Sequence, residues 1–191
     1  NPASSWAFTL GFTLTGALMM PLSLQFYIAR RKWGERNKGS GIETMHLLAT
    51  ISAAASGISI IWISYTPWHE QMELHMIQAR VIFGGLMIWA LLSTAISFRM
   101  LEIDSRFSSL FQARRGWTVF SLICLLGLAI SVYSYAGVSL SIPEGHMGTV
   151  LECSDLGHPS LSVAAFFEWM MVIGLAGVSY TGAQEARLID Q

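Results

Sequence analysis

The sequence is divided by five apolar stretches, each long enough to cross a lipid bilayer as one helix. Charged residues are rare inside them, and each stretch approaches the ~20 residues that a membrane-spanning helix needs. Only 12% of the 191 residues are charged, while 53% are hydrophobic. A soluble domain usually carries about twice that charged fraction. The sequence therefore predicts an all-α fold, a polytopic transmembrane bundle of five helices.

Hydropathy along the chain sets the expected limits of these helices and of the domain. The connections are short, and no Gly/Ser-rich linker or internal repeat divides the sequence, so we expect a single transmembrane domain over residues 1–191. The net charge of −1 gives no general attraction to nucleic acid, and no nucleic-acid partner is expected. Windows of about 19 residues place the helices near residues 6–29, 44–66, 76–99, 116–138 and 160–182.

Basic residues occupy alternate connections between the predicted helices. The segment after helix 1, the connection between helices 3 and 4, and the end of the chain hold ten of the eleven Lys and Arg residues. The other two loops contain acidic residues but no Lys or Arg. Because Lys and Arg favour the cytoplasmic side, we expect a cytoplasmic C-terminus and an outer or lumenal N-terminus. The ten residues are Arg30, Arg31, Lys32, Arg36, Lys38, Arg99, Arg106, Arg114, Arg115 and Arg187.

The segment "RRKWGERNK" is a candidate contact for anionic lipids. A basic residue near a negatively charged leaflet contributes ~1 kcal/mol to membrane attraction. The alternative is that these residues only record the topology of the chain. The candidate residues are Arg30, Arg31, Lys32, Arg36 and Lys38.

Two opposite charges lie inside the predicted membrane helices. Arg80 falls about one turn into helix 3, and Glu168 falls about two turns into helix 5 from the same side. A charge at membrane depth is costly unless it is paired, protonated or functional. We therefore expect an ion pair between Arg80 and Glu168.

Further polar residues lie at a similar depth and extend this candidate cluster. His75 and Gln78 begin helix 3, three positions apart and hence on one face, whereas His158 begins helix 5 and Trp169 follows Glu168. Since Arg80 points away from the face of His75 and Gln78, a single compact pocket is not required. The cluster is interpreted as a structural polar pair, as a pocket for a lipid headgroup or other ligand, or as a proton relay.

Metal binding and catalysis receive little support from the sequence. His146, Cys153, Asp155 and His158 share one outer loop, and these residue types suit zinc. Their spacing, however, matches no compact zinc motif, so no metal site is predicted and these residues remain weak candidates. The sequence also contains no nucleophile-elbow, zinc-protease or phosphate-loop motif. No catalytic residues are assigned.

Three stretches, "NPASSWAFTLGFTLTGALMM", "YTPWHEQMELHMIQARVIFGG" and "HPSLSVAAFFEW", occur in this order. Together they resemble the DRAM family (damage-regulated autophagy modulators) and its Frag and Sfk relatives. In that family a His opens one helix, which His75 resembles, and an "EW"-like pair lies in the last helix, which Glu168 and Trp169 resemble. Family members usually have six helices, so the resemblance implies that a first helix and its lumenal loop are missing here.

The resemblance implies a role in endomembranes or the plasma membrane. Relatives act in lipid-anchor maturation, in autophagy at lysosomes and in the recruitment of phosphoinositide kinases, and no catalytic residue set carries over. We therefore expect a non-catalytic adaptor or accessory subunit that contacts membrane lipids, holds a bound phospholipid and associates with other integral membrane subunits. The alternative is a lipid-modifying enzyme with an outer His/carboxylate site. A transporter is a weaker third possibility, because no broken-helix or repeat pattern is evident.

Overall fold

The computed structural model describes residues 2–37, 42–66, 71–136 and 159–190. Within these ranges the chain is helical, and five helices are long and apolar enough to cross a membrane. The predicted all-α fold with five transmembrane helices is therefore confirmed. Helices are expected here because, in lipid, a helix satisfies its own backbone hydrogen bonds. The helices are α1 (Pro2–Arg36), α2 (Glu43–Ile63), α3 (Met72–Ile103), α4 (Ser108–Ala136) and α5 (Pro159–Ile189), with a 3-10 turn at Ser105–Phe107.

Several helices extend well beyond the apolar stretches that predicted them. Helix α1 continues to Arg36 instead of ending near residue 29, α4 begins at Ser108 instead of 116, and α5 continues to Ile189 instead of 182. Helix α2 departs the other way and ends at Ile63 rather than 66. A prediction from hydropathy ends a helix where charged residues begin. The backbone hydrogen bonds continue beyond that point, because Lys, Arg and Glu favour the helical conformation. These extensions decide which polar residues reach the interior.

The helices pack mainly in chain order, and both α1 and α3 make additional contacts with α5. Helix α2 packs between α1 and α3, α3 packs on α4, and α4 packs extensively on α5. Helix α1 also touches α5, at one end of the bundle. We call this end, where α1, α3 and α5 finish and α2 and α4 begin, the basic end.

Small residues let neighbouring backbones approach closely. A Cβ on Gly57 of α2 would lie 2.9 Å from the carbonyl oxygen of Gly16 on α1, and a Cβ on Gly85 of α3 would lie 3.1 Å from that of Ser52. Ala49 and Ala53 of α2 are buried in the same core. Van der Waals packing between small residues is a main source of helix association in lipid, so the small-residue face of α2 is an internal contact.

Candidate functional site

The most unusual feature of the interior is a group of ionised side chains near the basic end. Arg30 of α1, Arg114 of α4 and Glu185 of α5 are 3%, 0% and 1% exposed. Hydroxyl groups from α3 and α5 complete the group. We call these residues the Arg–Glu cluster: Arg30, Ser93, Ser97, Arg114, Thr181 and Glu185.

The carboxylate of Glu185 is the centre of the cluster. Its Oε1 accepts a hydrogen bond from Nε of Arg30 at 2.5 Å, and its Oε2 accepts one from Nη2 of the same residue at 3.2 Å. Arg114 donates from Nη1 to Oε2. The Ser97 hydroxyl lies 3.4 Å from the same oxygen as a further donor. Charge-assisted and bidentate bonds of this kind are the strongest in proteins, so Glu185 ties α1 and α4 to α5.

Arg114 uses most of its donors inside the cluster. Its Nε donates to the Thr181 hydroxyl at 2.8 Å, while Nη1 donates to the hydroxyl of Ser97 and to the carbonyl of Ser93 at 3.3 Å. Its Nη2, in contrast, is buried and meets no hydrogen-bond partner within the described part of the chain. A buried donor without a partner is costly, which makes this nitrogen the exceptional atom of the cluster.

His46 lies beside the cluster at the start of α2. Its side chain is buried, and it interacts electrostatically with Arg30 and Glu185. Its Nε2 is a second buried polar atom for which the described residues supply no partner. Four of the helices therefore bring charged or imidazole side chains to this level of the bundle, and α3 supplies hydroxyl groups.

A layer of apolar side chains separates the cluster from the basic end. The rings of Trp33 and Phe107 form an edge-to-face contact there, with centroids 5.8 Å apart. Most residues of the layer lie three or four positions from a polar member of the interior, on the side of the basic end, and Phe107 lies in the 3-10 turn. The layer therefore limits water access from this end and strengthens the interactions behind it. Its buried residues are Trp33, Ile42, Met100, Phe107, Leu110 and Ile189.

The polar residues predicted inside the membrane lie elsewhere, toward the opposite end. Arg80 and Glu168 are both exposed on the outside of the bundle. Trp169 is 68% exposed beside Glu168. The ion pair between Arg80 and Glu168, and a ligand pocket around them, stay predictions. His158 lies outside the described residues.

His75 and Gln78 share a face of α3, as their spacing indicates, and both contact the end of α2. Nε2 of Gln78 donates to the Thr66 hydroxyl at 3.1 Å, and Nδ1 of His75 lies 3.3 Å from the Thr66 carbonyl oxygen. These contacts fix α3 against the end of α2. A ligand site that includes His75 and Gln78 stays a prediction.

The basic segment after α1 divides into an inward and an outward set. Arg30 is buried, so it does not belong to an exposed lipid-contacting surface, whereas the Arg31 side chain is 60% exposed and pairs with Glu35 at 3.0 Å. Lys32 and Arg36 are also exposed. Lys38 lies outside the described residues. Successive helical positions are rotated by about 100°. Adjacent arginines therefore lie on different faces of α1, one buried and one exposed.

The weak metal candidates cannot be placed in the fold. His146, Cys153, Asp155 and His158 all lie outside the described residues. Within the described ranges, no group of three or more His, Cys, Asp or Glu side chains is arranged to hold a metal ion.

Sequence reasoning missed the Arg–Glu cluster because its charged members lie just beyond the predicted helices. Arg30 follows residue 29, Arg114 precedes residue 116 and Glu185 follows residue 182, so each was assigned to a connection or tail. One signal was available. Glu185 is the one acidic residue in the extension "SYTGAQEARLI" at the end of α5, and a carboxylate there is a candidate partner for arginines on other helices.

These features define the chain as an integral, multi-pass membrane protein with a buried ionic cluster. The model of the family described as Frag1/DRAM/Sfk1/Cwh43P N-terminal domain matches residues 2–185. The chain therefore belongs to this family, which confirms the resemblance found in its sequence. No curated protein and no solved structure matched the chain.

Proposed function

We propose that the protein is a non-catalytic adaptor or accessory subunit of a membrane complex. Its partner in this proposal is a transmembrane helix of another integral membrane protein, which docks on α1. The observation that carries the proposal is the exposure of α1. Only 11% of its most apolar window is buried, against 44% for α2.

One strip of the exposed surface of α1 combines apolar side chains with small and polar residues that are typical of helix–helix contacts in membranes. Six exposed positions on it alternate in steps of three and four, the spacing of a left-handed helix seam. Small residues and amides are enriched where membrane helices meet, because they allow close approach and interhelical hydrogen bonds. An amide exposed to hydrocarbon would otherwise be costly. The seam residues are Phe8, Gly11, Thr15, Leu18, Leu22 and Gln25.

The buried ionisable groups support a structural role for the interior. The Glu185 carboxylate is surrounded by guanidinium and hydroxyl donors, so its lone pairs are engaged within the protein. A carboxylate held in this way is a poor general base. The residues suggested for an outer-side lipid-modifying enzyme lie outside the described ranges, and no observation favours that alternative. Compartment and orientation remain as expected from the sequence: an endomembrane or the plasma membrane, with the C-terminus cytoplasmic.

Photo-crosslinking in the native membrane tests the docking of α1. A photoreactive amino acid replaces Leu18 on the seam or, as a matched control, Ile130 on α4, because both side chains are 66% exposed. We expect a discrete protein adduct from position 18 and only lipid adducts from position 130. Gln25→Leu should reduce the yield at position 18. Lipid adducts alone at both positions would overturn the proposal.

A further inference from the structure

The charges of the Arg–Glu cluster do not balance. Two guanidinium groups, which stay protonated in proteins, face one carboxylate, and all three are buried. The other carboxylates near the basic end do not enter the cluster: Glu35, Glu102 and Asp104 pair with Arg31, Arg99 and Arg106, and Glu43 and Asp190 are exposed. An uncompensated charge in a low-dielectric interior is strongly unfavourable. The cluster therefore requires one further negative charge.

The atom that would receive this charge can be identified from the hydrogen bonds. Nη2 of Arg114 is the only guanidinium nitrogen among the described buried side chains that has no hydrogen-bond partner, and Nε2 of His46 is a second buried atom without one. The remaining donors of Arg30 and Arg114 are already directed at Glu185 and the hydroxyl groups. A planar guanidinium with a spare N–H pair favours an oxyanion, above all a phosphate.

The depth of the cluster matches the level of lipid phosphates. The α1 span, Trp6–Arg36, has 31 residues and is about 46 Å long at ~1.5 Å per residue. It exceeds the ~30 Å hydrocarbon layer by roughly 8 Å on each side. Arg30 and Arg114 lie six residues from helix ends and Glu185 lies four, hence about 6–9 Å inward. This places the cluster at the boundary between hydrocarbon and headgroups.

Access to the cluster from the side, through the bilayer, requires α1 and α5 to separate. The apolar layer around Trp33 and Phe107 covers the cluster toward the basic end. Contacts between α1 and α5 flank the cluster: on its membrane side a Cβ on Gly182 would be 2.5 Å from Cζ of Phe26, and toward the basic end Arg36 donates to the Ile189 carbonyl at 3.2 Å. A lipid headgroup that separates α1 from α5 would reach the cluster without crossing the apolar layer.

We propose that the Arg–Glu cluster is a binding site for a phosphate group, and that its ligand is the phosphodiester of a membrane phospholipid that reaches it between α1 and α5. Nη2 of Arg114 donates to the phosphate, and the single negative charge of the phosphodiester balances the second arginine. This site is distinct from the exposed seam of α1. The proposal does not depend on the adaptor function, since a chain without a protein partner would bind the same lipid.

Stability and lipid retention of the full chain test the site. Protein purified in detergent and stripped of lipid is titrated with phosphatidylglycerol, with diacylglycerol, which lacks phosphate, and with inorganic phosphate. Thermal unfolding and native mass spectrometry are the measurements. We expect one retained phosphatidylglycerol per chain and a raised Tm, with no effect of diacylglycerol. An unchanged Tm with every probe would overturn the proposal. Stabilisation by inorganic phosphate alone would refute a lipid ligand.

Charge variants distinguish a phosphate site from a purely structural cluster. Arg114→Gln removes the excess charge and should weaken lipid retention at least tenfold. Arg115→Gln, which changes the exposed neighbour, should leave it unchanged. Arg114→Lys preserves the positive charge but removes the planar guanidinium that can donate two parallel hydrogen bonds. If Arg114→Gln does not fold, this variant should still show weaker lipid retention than the unaltered chain. Equal lipid retention in Arg114→Gln and Arg115→Gln would contradict the proposal.

Discussion

Arg30 and Glu185 form a bidentate ion pair inside the bundle, although 155 positions separate them along the chain. The two contacts are 2.5 Å and 3.2 Å long. They join α1, which is otherwise largely exposed, to the end of α5. Because Arg114 of α4 shares the same carboxylate, one residue holds three helices together.

Glu185→Gln should destabilise the protein by about 3 kcal/mol, since removing one partner of a buried ion pair leaves an uncompensated charge. Denaturant or thermal unfolding in detergent measures the change. The matched control is Glu35→Gln, which removes the exposed pair with Arg31 at 3.0 Å. Exposed pairs contribute little, so the control should change stability by less than about 0.5 kcal/mol. Equal effects of the two variants would show that the buried pair contributes no more than the exposed one.

Thr181→Val should destabilise the protein by about 1–3 kcal/mol. The substitution preserves shape but removes the hydroxyl that accepts from Nε of Arg114 at 2.8 Å, leaving a buried donor without a partner. Ser179→Ala on the same helix is the control, because Ser179 bonds only to the Leu175 carbonyl among the described contacts. We expect a smaller change there. Identical unfolding curves for Thr181→Val and the unaltered chain would contradict the described role of Thr181.

Gly57→Ala should destabilise the contact between α1 and α2 by about 1–3 kcal/mol, the range for overpacking. The new methyl group would lie 2.9 Å from the Gly16 carbonyl oxygen, so the helices must separate. The same substitution at Gly84 meets no atom within 4 Å and should be neutral or stabilising, because Ala favours helix. Thermal unfolding compares the two variants. If Gly57→Ala were as stable as Gly84→Ala, the close approach of α1 and α2 would be refuted.

Asp104 should make a small, pH-dependent contribution at the turn between α3 and α4. Its carboxylate accepts from the side chain and the backbone N–H of Arg106, each at 2.9 Å, and these bonds lower the pKa of Asp104 below its usual value. The folded-state pKa is the lower one, so the stabilisation is present above about pH 4 and is lost as the pH falls through the folded-state pKa.

Asp104→Asn tests this contribution, because the amide still accepts from the backbone but carries no charge. The variant should be less stable at pH 6 by about 0.5 kcal/mol, a small value because the ion pair is exposed. The difference should shrink as the pH falls from 6 and should disappear once the pH is below the lowered folded-state pKa of Asp104. Unfolding curves at a series of pH values from 6 downward measure it. A difference that is constant with pH would exclude a role for the carboxylate charge.

The sequence alone determined the five membrane-spanning helices, the separation of basic and acidic connections, and the family. These properties depend on local composition. An apolar stretch of about 20 residues has few alternatives to a membrane helix. The pairing of His75 and Gln78 on one face of α3 also followed from spacing, because both residues lie within two turns of a single helix.

Only the tertiary structure decided which charged residues are buried and with what they pair. Arg30 and Arg31 are the same residue type at adjacent positions of α1. The way α1 packs directs Arg30 inward to Glu185 and leaves Arg31 outside, paired with Glu35. Conversely, Arg80 and Glu168 lie inside the helices predicted from the sequence, whereas Arg30 and Glu185 lie just beyond them. Arg80 and Glu168 are nevertheless the exposed pair of residues. Membrane depth can be read along one helix, whereas the direction of a side chain and its distant partner depend on how five helices pack. For that reason a cluster assembled from positions 30, 114 and 185 could not be found from any one segment.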